Sequence, residues 1–467
     1  MGGFVDRQWD LALPVVHDYI AIPARSPMFD PDWERTGHIA NAARLLRDWA
    51  VAQDIDGMTV EIIAPSGLTP VLFVEIPATD HSLAEHTVLL YGHLDKQPEM
   101  EPWSDGLGPW KPVLRGDRLY GRGGADDGYS IFAALIAIAA VHERGARHGR
   151  ICVLIEGSEE SSSVHLAQHL EALYPRIGVA DLVIGLDSFC ETYDRLWTTT
   201  STRGVCGGVL HIDVCEGDPH SGRASGVLPS AFRVLRELLD RIEESSDGSV
   251  RVASAHVDIP QHRRHEAEVA ADSFPPLSSE FRPLPGVESM GATPRDELLN
   301  GTWRPALEVI GVDHLPPVAD AGNVFRSRLS VKLSLRVPPT ADVVEVGEEL
   351  TRTLEAEPPH GVSVRFEAGA RGPGWASPAF DQWLFDAVDA ASVRHWGRPS
   401  ASCGVGGTIP FLGMLGASMP SAQFLLVGVL GPGSNAHGPD EFLHLPTVRR
   451  VTETVADVLV AHAEHAS

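Results

Sequence analysis

Apolar residues fall in short unbroken runs at 87–91 (TVLLY), 151–155 (ICVLI) and 181–186 (DLVIGL), each bounded by residues that favour turns. Runs of that length read as strands buried on both faces. Residues around 129–143 and 161–173 separate them with helix-like patterning, so the expected unit is βαβ and the expected sheet is parallel. Beyond Thr202 the texture changes. A strand-like 211–214 leads to a helical 229–242 and a long Pro-rich region ending near Pro305. Residues 328–337 and 362–366 alternate in strand fashion around a helical 341–354, which predicts an α+β module with an antiparallel sheet. A Gly- and Pro-rich segment, 369–378, reads as the link out of it. The rest holds a helix over 380–394, a strand over 424–430 and a final helix whose Val448, Val451, Val455 and Val458 recur on one face. The expectation is an α/β domain of mostly parallel sheet flanked by helices, formed by 1–203 and 373–467, with an α+β domain of antiparallel sheet, 204–372, inserted into it.

Composition narrows this picture. A chain of 467 residues exceeds one compact core, and 43% hydrophobic with 21% charged residues is ordinary for a globular protein. The longest apolar run, 131–141, is too short to cross a bilayer of about 30 Å, and reads as a buried helix. No basic-then-apolar leader is visible in the opening residues, and Asp6 stands where a myristoylation signal needs Ser or Thr. Five scattered cysteines, never spaced as CxxC, suggest neither a disulfide framework nor a thiolate metal site; the expected location is the cytoplasm. A net charge of -26 without a basic stripe argues against nucleic acid, and no membrane partner is expected.

The chemistry concentrates where strands end, as open α/β sheets require. His93, Asp126, Glu160, Asp187 and His437 each sit in a loop rich in Gly or Ser. Singly, each is an ordinary loop residue; as an ordered set in such loops they make a candidate ligand group. Imidazoles and carboxylates without thiolate suit two divalent ions, zinc first, with manganese or cobalt also accommodated, and three carboxylates are enough for one to bridge. Such ions acidify a water and polarise a carbonyl. Glu159, beside Glu160, is then the candidate general base, and Asp95, two residues from His93, is placed to fix that ring's orientation. A phosphate-binding reading of Gly121-Arg122-Gly123-Gly124 fails, because GxGxxG spacing is absent and Asp126 and Asp127 would repel an anion.

These stretches resemble the M20 metallopeptidases, a family that includes carnosinase-like dipeptidases, aminoacylases, succinyl-diaminopimelate desuccinylases and glutamate carboxypeptidases. Tyr91-Gly92-His93-Leu94-Asp95 is similar to the family's first metal motif, and the loop from Leu119 to Gly128 to the one that carries the bridging Asp. The stretch from Ile155 to Ser161 is similar to the one holding the base and a ligand, and Asn435-Ala436-His437-Gly438 to the last ligand motif of the dipeptidase branch. The resemblance implies a zinc-peptidase-like fold in which Asp126 bridges, His93 and Asp187 complete one site, and Glu160 and His437 the other. Glu159 is the implied base. It further implies that the inserted domain is a lid that makes a homodimer, that His220 stabilises the oxyanion in the partner's site, and that Arg336 holds the substrate carboxylate. Asn323, Gly407 and Thr408 are implied to contact substrate. Gly128 departs from the pattern by replacing a usual Lys, Ser162 by replacing a Gly, and Gly404-Val405 by standing where the branch often has Arg-Glu. The expected activity is hydrolysis of a dipeptide or similar small substrate with a free carboxylate. An N-acyl-amino-acid amidohydrolase or carboxypeptidase is the alternative, and a metal-binding homologue without catalysis a third reading.

Overall fold

The structure, a computed structural model, describes residues 3–369 and 371–467. The chain divides into two compact units, Met1–Thr200 with Ser377–Cys403 and Pro410–Ser467, and Ser201–Ala376 with Gly404–Ile409. Relative to the expected boundaries, Gly404–Ile409 groups with the second unit. Arg203 Nε donates to the Gly406 carbonyl at 3.3 Å and Thr408 Oγ1 donates to the Arg203 carbonyl at 2.7 Å, which ties that loop to the start of the second unit. The expected link at 369–378 includes Ala370, which lies outside the described residues.

In chain order the first unit opens with α1 (Phe4–Ala21), α2 (His38–Val51), β1 (Thr59–Ile63) and β2 (Val71–Ile76). It continues with β3 (Thr87–His93), α3 (Ser130–Glu143), β4 (Arg150–Glu156), α4 (Leu166–Ile177) and β5 (Leu182–Gly185). The second unit contributes β6 (Gly204–Asp213), α5 (Ala231–Leu239), β7 (Ala306–Asp313), β8 (Arg328–Val337), α6 (Val343–Glu355) and β9 (Ser363–Ala368). The chain then returns with α7 (Gln382–Trp396), β10 (Gln423–Leu426) and α8 (Leu445–Ala466).

The first unit's sheet runs β1-β2-β4-β3-β5-β10. All pairings from β4 to β10 are parallel, whereas β1 and β2 form an antiparallel edge that the apolar runs did not announce. Every residue of β3 is buried, as helices on both faces require. α3 is buried almost throughout, and α8 places Val448, Val451, Val455 and Val458 in the same core, where Trp9 Nε1 of α1 donates to Thr452 Oγ1 at 2.9 Å. Together with the preceding turn, α3 forms a stretch, Gly124–Glu143, that could cross a membrane by length and composition alone, but its apolar 18-residue window is 94% buried inside the protein. α4 begins later than the expected 161, because Ser162 and Ser163 take left-handed backbone conformations after the turn Glu159–Ser161.

The second unit's sheet, β7-β8-β6-β9, is antiparallel throughout. Its core is a separate cluster in which Leu210 and Ile212 of β6 meet Val331 and Leu333 of β8 and Val346 and Leu350 of α6. β6 is longer than expected: Gly207 and Gly208 stand within the strand, because a Cβ at either would come within 2.3 Å of a carbonyl of the flanking strands. The Pro-rich region before residue 305 contains helices Gln261–Ala271 and Pro294–Thr302.

The strand ends that matter lie level with one another. His93 of β3 pairs with Glu156 of β4, and Tyr91 with Gly185 of β5. Beyond β10, Gly428 presses against the backbone just after Asp187, where an added Cβ would lie 1.7 Å from the Ser188 carbonyl oxygen. Gly428→Ala is therefore expected to cost about 1–3 kcal/mol through overpacking. A urea midpoint equal to that of the parent protein would show that this close approach is not required.

Candidate metal centre

Each candidate side chain arrives from the carboxyl end of a strand or the loop beyond it. His93 ends β3, Asp126 lies in the turn Gly124–Gly128 before α3, and Glu159 and Glu160 occupy the turn after β4. Asp187 follows β5 and His437 follows β10. His93 is fully buried, and its Nδ1 donates to the Asp95 carbonyl at 3.1 Å, which orients the ring and turns Nε2 towards Asp126 and Asp187. Nε2 stands 3.1 Å from Asp126 Oδ1 and 3.8 Å from Asp187 Oδ2. The other Asp126 oxygen, Oδ2, lies 3.0 Å from His437 Nε2, which is itself 3.4 Å from Glu160 Oε2. One carboxylate thus turns an oxygen to each of two imidazoles, as a bridging ligand does. Two donors about 2.1 Å from one tetrahedral ion stand roughly 3.4 Å apart, the scale of these separations.

Asp95 meets the His93 Nδ1 as expected, through its carbonyl at 3.1 Å and with its carboxylate Oδ1 3.5 Å from the same atom. Its carbonyl takes the His93 N–H, while its carboxylate accepts the backbone N–H groups of Glu159 at 3.1 Å and Glu160 at 3.0 Å. It therefore holds the turn that presents both glutamates. Glu160 Oε2 accepts from Gln97 Nε2 at 2.6 Å, and its Oε1 is buried without a partner. Glu159 groups with His93 and Asp187, one potential ligand atom from each lying within 4.8 Å of the others. No side-chain hydrogen bond occupies the Glu159 carboxylate among the described residues.

Crowding shapes the electrostatics. Burial pushes the Glu159 and Glu160 carboxyls well above the usual carboxylate range, with repulsion from Asp187 and Asp126 respectively adding to it. Burial also raises Asp187 to about 6. Asp126 moves the other way: burial opposes its ionisation, but hydrogen bonds to His437 and His93 hold it below its ordinary value. Both imidazoles are raised in spite of their burial, chiefly by Asp126. The carboxyls of this cluster outnumber its two imidazoles. The orphaned Glu160 oxygen and the all N and O donor set, with Nε2 of both imidazoles turned to Asp126, fit a pair of divalent cations.

The second unit holds the remaining expected residues. His220 is exposed and caps the turn Ser221–Ala224, its Nδ1 accepting from Gly222 N at 3.1 Å. The Asn323 carbonyl accepts from Ser221 N at 2.9 Å, so the two expected residues share one loop pair. Arg336 of β8 is half-buried and Nη1 donates to Thr408 Oγ1 at 3.2 Å. Gly407 is exposed, with open space where a side chain would begin. Arg203, which the sequence did not single out, is lowered to about 10 by burial and by Arg336 nearby. Two guanidiniums placed so close favour an anion.

Gly128 has a local explanation. A Cβ there would come 1.9 Å from Tyr19 Cε1 and 2.6 Å from the Gly123 carbonyl oxygen, so no side chain fits. Nearby, Lys96 is fully buried, and its Nζ donates to the carbonyls of Tyr19 at 2.7 Å and Ile22 at 2.9 Å and lies 4.0 Å over the Tyr19 ring.

A cage of imidazoles and carboxylates at the carboxyl ends of a parallel-rich sheet defines a metal-dependent hydrolase. The chain belongs to the peptidase family M20/M25/M40, whose profile matches residues 89–461. It is 29% identical over 392 residues to the cysteinylglycine-S-conjugate dipeptidase of Corynebacterium striatum, covering 81% of each chain. It is 27% identical over 368 residues to the Beta-Ala-His dipeptidase of Homo sapiens, covering 75% of this chain and 70% of that one. In fold it resembles human carnosine dipeptidase 1, with a TM-score of 0.75 at 21% identity over 99% of this chain and 98% of that one. It also resembles an M20 family metallo-carboxypeptidase from Sulfolobus solfataricus, with a TM-score of 0.78 at 20% identity over 96% and 98%.

The shifts fix a pH dependence. In metal-free protein, carboxyls such as Asp187 at about 6 keep protons that an unfolded chain releases near 4. The folded state then binds more protons, so stability falls as pH rises from about 5 to 7, and the raised imidazoles act in the same direction. Asp126, lowered, contributes a stability that is lost only at more acid pH. Metal binding, which needs deprotonated ligands, strengthens as pH rises. Thermal melts in chelator should therefore drop between pH 5 and 8 while the increment from added Zn2+ grows. A chelated protein that gains stability across that range would contradict the convergence of these carboxyls.

Proposed function

We propose that this chain is a dipeptidase that works as a homodimer on substrates with a free carboxylate, using two divalent ions, zinc by preference and manganese or cobalt as substitutes. The observation that carries the reading is the bridging disposition of Asp126 with the uncommitted Glu159 carboxylate beside His93 and Asp187. His93, Asp126 and Asp187 would hold one ion, and Asp126, Glu160 and His437 the other. When bound, the pair supplies Lewis acidity that lowers the pKa of a water and polarises the scissile carbonyl.

Glu159 takes the proton of the attacking water and delivers it to the leaving amine. Asp95 keeps Glu159 at that post through its backbone. Arg336, steadied by Thr408, offers a fork to the substrate carboxylate, with the Gly407 backbone and Asn323 as further contacts. His220 donates to the developing oxyanion in the partner's site. Support for a second copy comes from β7, an edge strand that exposes Val309, Ile310 and Val312. The five free thiols accord with a cytoplasmic setting.

Glu159→Gln should keep metal content and melting temperature while lowering kcat by about 10²- to 10⁴-fold. Near-parental turnover would remove Glu159 as the base. Dipeptides should be cut faster than their N-acetylated forms, and the reverse order would favour the N-acyl-amino-acid reading. Mixing His220→Ala with Glu159→Ala subunits should recover activity in the mixed dimers, since one site then has both residues intact; verified mixed dimers without activity would place His220 outside the partner's site.

A further inference from the structure

Two residues inside the metal-site loops have no role in the chemistry above, yet they form a completely buried ion pair. Arg122 and Glu441 are 1% and 0% exposed in their side chains, and Arg122 Nη1 donates to Glu441 Oε2 at 2.5 Å. Both ends are committed further. Glu441 Oε1 accepts from the backbone N–H groups of Gly123 at 3.0 Å, Ala125 at 3.3 Å and Asp126 at 3.4 Å, the turn that delivers the bridging carboxylate. Arg122 Nη2 donates to the Gly438 carbonyl at 2.6 Å, next to His437, and Nε to the Pro98 carbonyl at 3.1 Å, in the loop that carries Gln97. A planar guanidinium with several fixed donors can join three loops in this way, and an ammonium cannot.

The loop that most needs such a hold is the one bearing His437. Its backbone is left-handed at Asn435, His437 and Asp440, none of them glycine, a conformation that persists only where surroundings impose it. The His437 side chain is 56% exposed, whereas those of His93, Asp126, Glu160 and Asp187 are between 0% and 12% exposed. Packing fixes four of the five, and the fifth depends on its loop.

We propose that the Arg122–Glu441 pair is a positioning device that sets His437 against Asp126, so that one of the two cation positions forms only while the pair is intact. The inference rests on the reading of Asp126, Glu160 and His437 as one ligand set. Neither residue touches substrate or the reacting atoms; the pair acts through the two loops it joins.

The test is Zn2+ binding to chelated protein, followed by equilibrium dialysis and metal analysis, with melting temperature measured in parallel and no recourse to activity. The parent should bind two equivalents, and His437→Ala should weaken one of them. Arg122→Met and Glu441→Gln should each bind one equivalent as the parent does and the other about 10- to 100-fold more weakly, the range for residues that orient ligands. Each single change should also lower the melting temperature, because it leaves the other group buried without its partner. Arg122→Met with Glu441→Gln leaves no unpaired buried charge and should regain melting temperature without regaining the weakened equivalent. If that double variant recovers both together, the pair is structural only and the proposal fails. Should the larger changes not fold, Arg122→Lys keeps the charge and loses the fork: two parental equivalents overturn the proposal, and one weakened equivalent supports it. A parent that binds fewer than two equivalents, or a His437→Ala variant that binds both at parental strength, would instead overturn the ligand assignment beneath it.

Discussion

Asp95, Asp126, Asp127, Glu159, Glu160 and Asp187 crowd around His93 in a space that water barely enters, and the rest of the structure is arranged to tolerate that crowd. Carboxylates this close repel one another and resist desolvation, so a chain could not hold them together on side-chain preference alone. They converge because parallel strands of matched register end at the same level, and because backbone N–H groups and buried cations have been enlisted around them. Asp95 accepts two amides, Glu441 three, and Asp127 the amide of His93 at 3.1 Å. The functional carboxylates are thereby relieved of structural duty and left with oxygen atoms to spare.

The same division of labour separates two kinds of acid in adjacent positions. Glu160 is anchored through Gln97 and keeps one oxygen unpartnered, whereas Glu159 is oriented only through its backbone. A ligand needs a fixed atom. The general base proposed for Glu159 needs a side chain free to turn, which this backbone-only hold leaves it, and burial raises the affinity of its carboxyl for a proton.

How much of this the sequence discloses depends on the range of the signal. The parallel strands and α8 were legible because burial on both faces, or on one helical stripe, writes itself into consecutive residues. The edge strands β1 and β7 were not, since partly exposed strands carry a mixed pattern, and β2 went unread although five of its six residues are buried. The full length of β6 was hidden by Gly207 and Gly208, which look like a turn and instead mark close approach of neighbouring strands. At the candidate site, His93, Asp126, Glu159, Glu160, Asp187 and His437 could be named because most of them sit where a strand releases its chain and their loops resemble the family's motifs, and the structure brings all six together. That the Asp95 carboxylate also holds the backbone of Glu159 and Glu160 could not be read from its spacing of two from His93. The Arg122–Glu441 pair spans 319 positions and leaves no local pattern at all.

The first helix has a stake in the site that its distance in sequence conceals. Tyr19 fills the space that any side chain at 128 would need, and the carbonyls that finish its helix are the acceptors for the Lys96 ammonium. Positions 19 and 128 are consequently coupled: a side chain at 128 finds room only if residue 19 gives way, and the helix that carries Tyr19 also anchors the buried ammonium of Lys96, so the opening helix is part of the foundation of these loops.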